Sequence, residues 1–189
     1  MLRSGTSLDL RAALSAEIRA AQDELSGQLS ARAVHAARVR LKRARALARI
    51  GRAGAPGPAA AFHEMARAAM RALAPILELL SLGQTANQTA KKLRGADRQA
   101  LQQLAQRLRL IAETQPGLDR TALAGALKDL LALAQVWPEA SPRQLARGAR
   151  AIIGRARRAR KAGLKSRALD TRHKWRRREK QRLYAIEAY

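Results

Sequence analysis

Two stretches of this chain repeat one arrangement of ionisable residues. The first carries His35, Arg38, Arg40, Lys42 and Arg45; the second carries His173, Arg176, Arg177, Arg178 and Lys180. In both, an Arg stands three residues after the His, another five after, and a Lys seven after. At about 100° per residue on an α-helix, offsets of 0, 3 and 7 fall within about 60° of one another. His, the first Arg and Lys therefore share a face in each copy. In the first copy Arg45 and Arg49 continue that face. Five ionisable side chains then line roughly 21 Å of helix, at about 1.5 Å per residue. Val34, Leu41 and Ala48 sit on an adjoining face and can anchor the stripe to a core. A row of closely spaced cations on a rigid helix suits a flexible polyanion, whose successive phosphates it neutralises with little reorganisation. One such stripe alone reads as a solvated helix face. Two copies with the same spacing read as a surface kept for a ligand.

The elements that must hold these stripes are helices. The 189 residues include 43 Ala and 28 Leu, with one Phe, two Tyr and two Trp. These are helix formers, and a β-sandwich or barrel is excluded on composition. Breakers fall at Ser26-Gly27, Gly51–Pro58, Gly83, Gly95, Pro116-Gly117, Pro138 with Pro142, and Gly163. The stretches between them predict helices over about 8–25, 33–50, 59–82, 96–113, 118–136, 142–162 and 168–188, with Pro75 as a kink in the third. Gln84–Thr89 is polar and fits no pattern. Leu101, Leu104, Leu108 and Ile111 mark one apolar face; Leu123, Leu127, Leu130 and Leu131 mark another. Asp119 and Ser141 are expected N-caps, the latter followed by Pro142 at the first helical position. The expected fold class is all-α, an antiparallel helical bundle or bundles in one domain, with halves of about 1–95 and 96–189.

Charge narrows the function. Lys and Arg number 38 against 14 Asp and Glu, a net +24, and 30 of the basic residues are Arg. Such self-repulsion calls for a polyanion partner, and the planar guanidinium grips phosphate oxygens with two donors. Residues 141–189 hold 17 basic and 3 acidic side chains, the densest basic region. The run Arg155–Lys161 within it reads as a solvated face or a generic nucleic-acid patch. With no Cys, disulfides and thiolate metal sites are excluded, which fits a reducing, cytoplasmic setting. No apolar run reaches the ~18 residues of a membrane span. Asp9 and Arg11 interrupt any apolar segment of a signal peptide after Arg3.

The two motifs resemble those of the CHAD family, the conserved-histidine α-helical domains. Its hallmark is a basic helix opened by His, of the form H-x-x-R-x-x-x-[KR]-x-x-R, once in each half. Residues 34–45 are similar to the first copy; residues 173–184, with Trp175 and the closing Tyr184, are similar to the second. The resemblance implies two pseudo-symmetric four-helix bundles around a basic groove or pore. It implies binding of inorganic polyphosphate at polyphosphate granules, without catalysis and without a cofactor. It carries His35, Arg38, Lys42, Arg45, His173, Arg176 and Lys180 over as polyphosphate ligands, with Arg40, Arg49, Arg177 and Arg178 beside them. Leu82–Asn87 lacks the Arg and Asp of the L-G-x-x-R-D segment that usually follows each basic helix. Few residues follow the second motif, so the second bundle is expected to be short or completed by a homodimer.

Other residues offer less. His63 has no partner at metal-ligand spacing and reads as a surface or structural His. Trp175 lies off the basic stripe and reads as a packing residue. Lys91, Lys92 and Arg94 read as a solvated cluster. There is no P-loop, no dinucleotide fingerprint, no H-E-x-x-H and no nucleophile motif. A phosphatase or kinase acting on polyphosphate would need acidic metal ligands that no motif here supplies. The alternative class is a non-specific nucleic-acid-binding helical protein. The scarcity of aromatics argues against single-strand stacking, and no recognition-helix motif speaks for base readout.

Overall fold

Seven helices make up the computed structural model, which describes residues 8–27, 29–114, 119–166 and 168–187. They are α1 (Leu10–Ser26), α2 (Ala31–Gly51), α3 (Pro56–Ala90), α4 (Gly95–Thr114), α5 (Arg120–Gln135), α6 (Pro142–Lys165) and α7 (Leu169–Glu187). No strand occurs among the described residues. The expected break at Pro116-Gly117, the Leu118 helix start and Arg3 lie outside them. Side-chain caps set the starts. Asp9, Ser30 and Asp119 accept from Ala12, Ala33 and Ala122 backbone N–H groups at 2.9, 3.1 and 2.9 Å. Ser141 and Gln144 form a reciprocal capping box, with Pro142 in the first turn.

The third helix corrects the expected boundaries. Gly83 does not break it, and Gln84–Thr89 is helical, so α3 runs 35 residues with Pro75 inside it. Gly83 serves a close approach. A Cβ there would stand 3.3 Å from the Ala105 carbonyl oxygen of α4. The polar residues that obscured the pattern, Gln84, Thr85, Asn87 and Gln88, are exposed, while Ala86 and Ala90 are buried.

Helix α2 is the hub. It packs on α1 and α3 on one side and on α6 and α7 on the other; α5 closes the first group by packing on α1 and α3. Helices that follow one another in the chain and pack together run antiparallel. Leu14, Ile18, Leu41, Leu47, Phe62, Leu73, Ile76, Leu127 and Leu130 are fully buried between α1, α2, α3 and α5. Burial of each such side chain contributes roughly 1.5–3 kcal/mol. Trp137, after α5, meets Phe62 edge to face at 5.9 Å. Arg11 holds the Trp137 carbonyl with two N–H donors at 3.2 and 2.9 Å. The expected anchors Val34, Leu41 and Ala48 are all buried. On the other side of α2, Gly148 lets α6 approach so closely that a Cβ would overlap the Ile50 carbonyl.

Helix α4 packs on α3, and it corrects a second expectation. Its buried residues are Ala105 and Ala112, while Leu104 and Ile111 are 45% and 49% exposed. The α3 surface it meets is built of Gly83, Ala86 and Ala90. Small residues face small ones, and the larger side chains are left at the rim. No helix among the described residues is long and apolar enough to cross a membrane.

Candidate functional site

The spacing of α2 places small and apolar residues at Val34, Ala37, Leu41, Ala44, Leu47 and Ala48 against its neighbours. Lys42, Arg45 and Arg49 emerge beside them, half-buried. Across from them runs α7. Three interactions join the two helices. Lys180 acts electrostatically on Lys42, Arg178 acts on Arg49, and Arg43 forms an ion pair with Glu187 at 2.9 Å. Residues 42–49 of α2 therefore lie across from residues 177–187 of α7.

Between them lies a pocket of about 300 Å³ lined by Lys42, Arg45, Arg49, Arg177, Lys180, Gln181 and Tyr184. No carboxylate lines it. None of its five cations has a carboxylate within 4 Å among the described residues, although five ion pairs form elsewhere. Burial lowers the Lys42 pKa, and Arg38, Lys180 and Arg45 lower it further. Burial and then Arg45, Arg155 and Arg178 push Arg49 down to about 10. Burial and Arg67 lower Arg45, against a partial opposing effect of Glu64. These groups remain charged at neutral pH, and each raises the cost of charging its neighbours. An anion in the pocket would relieve desolvation and repulsion together.

Behind the pocket, α3 supplies His63. An Arg45 Nη lies 2.8 Å from His63 Nε2, the Arg45 Nε lies 3.3 Å from Nδ1, and an Arg49 Nη lies 3.2 Å from Nδ1. A neutral imidazole has one acceptor nitrogen and one N–H. In either tautomer a guanidinium donor faces the ring N–H, so the cluster is one acceptor short. Burial, then Arg45 and Arg49, hold the His63 pKa down at about 4, with Glu64 opposing and Arg67 adding. His63 is thus a structural His, and what it structures is two of the pocket's arginines.

The remaining expected residues divide. Lys42, Arg45, Arg49, Arg177 and Lys180 come together in one pocket. Arg38 donates to the Met70 carbonyl of α3, and Arg40 pairs with Glu17 of α1 at 3.5 Å. Both are engaged in holding helices, although Arg38 still acts on Lys42. His35, His173 and Arg176 are exposed and do not line the pocket. Trp175 is half-buried and packs on Gly163 of α6, where a Cβ would come within 2.8 Å of its ring. Lys91, Lys92 and Arg94 are exposed.

Two contributors, His63 and Arg155, were not among the expected ligands. His63 sits opposite Arg45 because Met70 sits opposite Arg38. That register belongs to the α2–α3 packing, and no local pattern signals it. Arg155 of α6 faces Arg178, Arg52 and Arg158 and is lowered by burial first and by those charges next. Arg178 was a weaker candidate, and its position five residues after His173 was the available signal. Among the described residues no three His, Asp or Glu side chains gather as metal ligands would. Comparison of the chain with protein-family models, curated proteins and solved structures gives no match.

Proposed function

We propose that the protein is a non-catalytic, cytoplasmic binder of inorganic polyphosphate, held at polyphosphate granules through the α2–α7 pocket. The observation that carries this reading is a group of five cations, Lys42, Arg45 and Arg49 half-buried and Arg177 and Lys180 exposed, with no carboxylate lining the pocket they share. Solvated basic faces do not need such burial. A phosphate chain supplies closely spaced oxygens, and two guanidiniums can each donate twice to them. It also supplies the acceptor that the His63 cluster lacks. The resemblance of both motifs to the CHAD family favours polyphosphate over other polyanions.

The finer architecture belongs to the same proposal. Each basic helix packs on the helix before it, α2 on α1 and α7 on α6. Two CHAD-like halves related by a pseudo-twofold axis would each place their basic helix in this way, and a homodimer belongs to the same proposal.

The test is competition at fixed salt between labelled long-chain polyphosphate and duplex DNA, RNA or ATP. Polyphosphate is expected to bind more tightly than DNA of equal charge. Affinity is expected to fall steeply with salt, because several phosphates are neutralised at once. A Lys42→Gln, Arg49→Gln variant is expected to lose polyphosphate binding with its helicity intact. Equal loss of DNA and polyphosphate in that variant, from equal starting affinities, would place nucleic acid in the pocket instead.

A further inference from the structure

The outer face of α6 holds a second set of cations that the pocket does not use. Arg143, Arg147, Arg150, Arg157, Lys161 and Lys165 stand at successive intervals of four, three, seven, four and four residues. At about 100° per residue they fall within an arc of about 80°, and at about 1.5 Å per residue they span roughly 33 Å. Gly154 is the one residue on this line without a charge. All six side chains are exposed. Helix α6 contains no Asp or Glu, and none of the six has a carboxylate within 4 Å among the described residues.

The opposite face is already occupied. Leu145, Gly148, Ile152, Ala156, Ala159 and Gly163 are buried, and α6 packs on α2 and α7. Insertion of an amphipathic helix into a bilayer therefore has no free apolar face to work with. Whatever binds here binds from outside, by charge. The surface is also convex, without the enclosure of the α2–α7 pocket. A flexible chain laid along it would lose conformational freedom without gaining a desolvated contact. A stiff polyanion would lose almost none, and duplex DNA keeps its direction over ~50 nm. The length of the row, about 33 Å by helix rise, is close to one turn of such a duplex, about 34–36 Å.

We propose that the outer face of α6 is a second, separate polyanion site that takes duplex nucleic acid by its phosphates, without reading sequence. The protein would then hold a flexible phosphate chain in its pocket and a duplex on its far side. The site goes beyond the pocket reading and does not depend on it, because its test reads duplex binding alone.

The experiment measures anisotropy of a labelled mixed-sequence duplex of roughly 30 bp, about three helical turns, across a salt series. The variants are Arg143→Gln, Arg147→Gln, Arg150→Gln, Arg157→Gln together, and Lys42→Gln, Arg49→Gln together. The α6 variant is expected to lose about tenfold or more in duplex affinity at physiological salt. Its slope of log affinity against log salt should flatten by about 3.6, at about 0.9 per lost contact. The pocket variant is expected to stay within about threefold of the parent, with the same slope. A double variant, Arg143→Gln with Arg147→Gln, should flatten the slope by about half as much, and circular dichroism checks each fold. Unchanged duplex binding in the α6 variants would overturn the proposal. So would a pocket variant that loses duplex affinity equally. Loss of binding to phosphatidylserine vesicles with duplex binding retained would assign the face to a membrane and overturn it as well.

Discussion

Helix α2 buries nine of its residues and α7 buries one, Ala185, although both carry His, Arg and Lys at the same spacing. The difference lies in the residues between the cations. In α2 these include Val34, Ala37, Leu41 and Ala44; at the matching offsets of α7 stand Arg172, Trp175, Glu179 and Arg182. The apolar set draws α2 into the middle of the molecule, where it meets α1, α3, α6 and α7. Its cations are consequently pulled partly out of water and held by neighbours such as His63 and the Met70 carbonyl. The α7 cations keep one side in solvent. A shared motif thus yields a fixed wall and a looser one. The spacing sets which charges share a face, and the intervening residues set how much those charges gain from a ligand.

The largest effect that would break this comparison is on stability. Leu41→Ala in α2 should cost about 2–5 kcal/mol, the range for deleting a fully buried Leu. Leu183→Ala in α7 should stay within about 0.5 kcal/mol, because that side chain is half exposed. Denaturant unfolding of the two variants measures both. Equal losses would mean that α7 is anchored as firmly as α2.

Binding gives the next effect. Each charge-assisted hydrogen bond lost from the α2 wall removes about 1.5–3 kcal/mol. The Lys42→Gln, Arg49→Gln variant should therefore weaken polyphosphate by about a hundredfold or more, at about 1.4 kcal/mol per factor of ten. Removing His173 and Arg176, which carry the motif outside the pocket, should cost less than about fivefold, as exposed charges do. Titration calorimetry of both pairs decides it. If they weaken alike, the whole motif is the site and the distinction between fixed and loose walls fails.

How far these features were legible in the sequence follows the same division. Helices with strong periodicity and side-chain caps, such as those begun by Asp119 and Ser141, read directly, because a cap and an apolar stripe are local. Gly83 misled, since a glycine that admits a neighbouring backbone has the same letter as one that ends a helix. The Leu104–Ile111 face of α4 misled for a related reason. Periodicity finds an apolar face, but the partner surface decides which part of it is buried, and here the partner is built of Gly and Ala. Pocket residues Lys42, Arg45, Arg49 and Lys180 were readable from motif spacing, and Arg177 stood beside the second motif. His63 and Arg155 were not, because they join through the register of α3 and α6 against α2, which depends on packing along whole helices.

The smallest expected effect concerns His63 and sharpens the account of the fixed wall. Burial and the flanking Arg45 and Arg49 hold its pKa at about 4, below the ordinary 6.5. The folded protein therefore takes up this proton less readily than the unfolded chain. The stability that neutral His63 provides is fully present above about pH 6.5 and is lost as pH falls toward about 4. A His63→Gln variant keeps an acceptor for one guanidinium but cannot take the proton. Between about pH 6.5 and 4.5 the parent's melting temperature should fall more than the variant's, while the carboxylates titrate alike in both. Polyphosphate in the pocket would reverse the sign for binding, because its charge favours imidazolium. Affinity of the parent should then rise as pH falls through the same window, and that of His63→Gln should rise less. The direct measurement is the His63 titration by NMR, with and without polyphosphate. A pKa near 6.5 in the free protein would mean that the imidazole is not held between the two guanidiniums, and that the wall of α2 is as loose as that of α7.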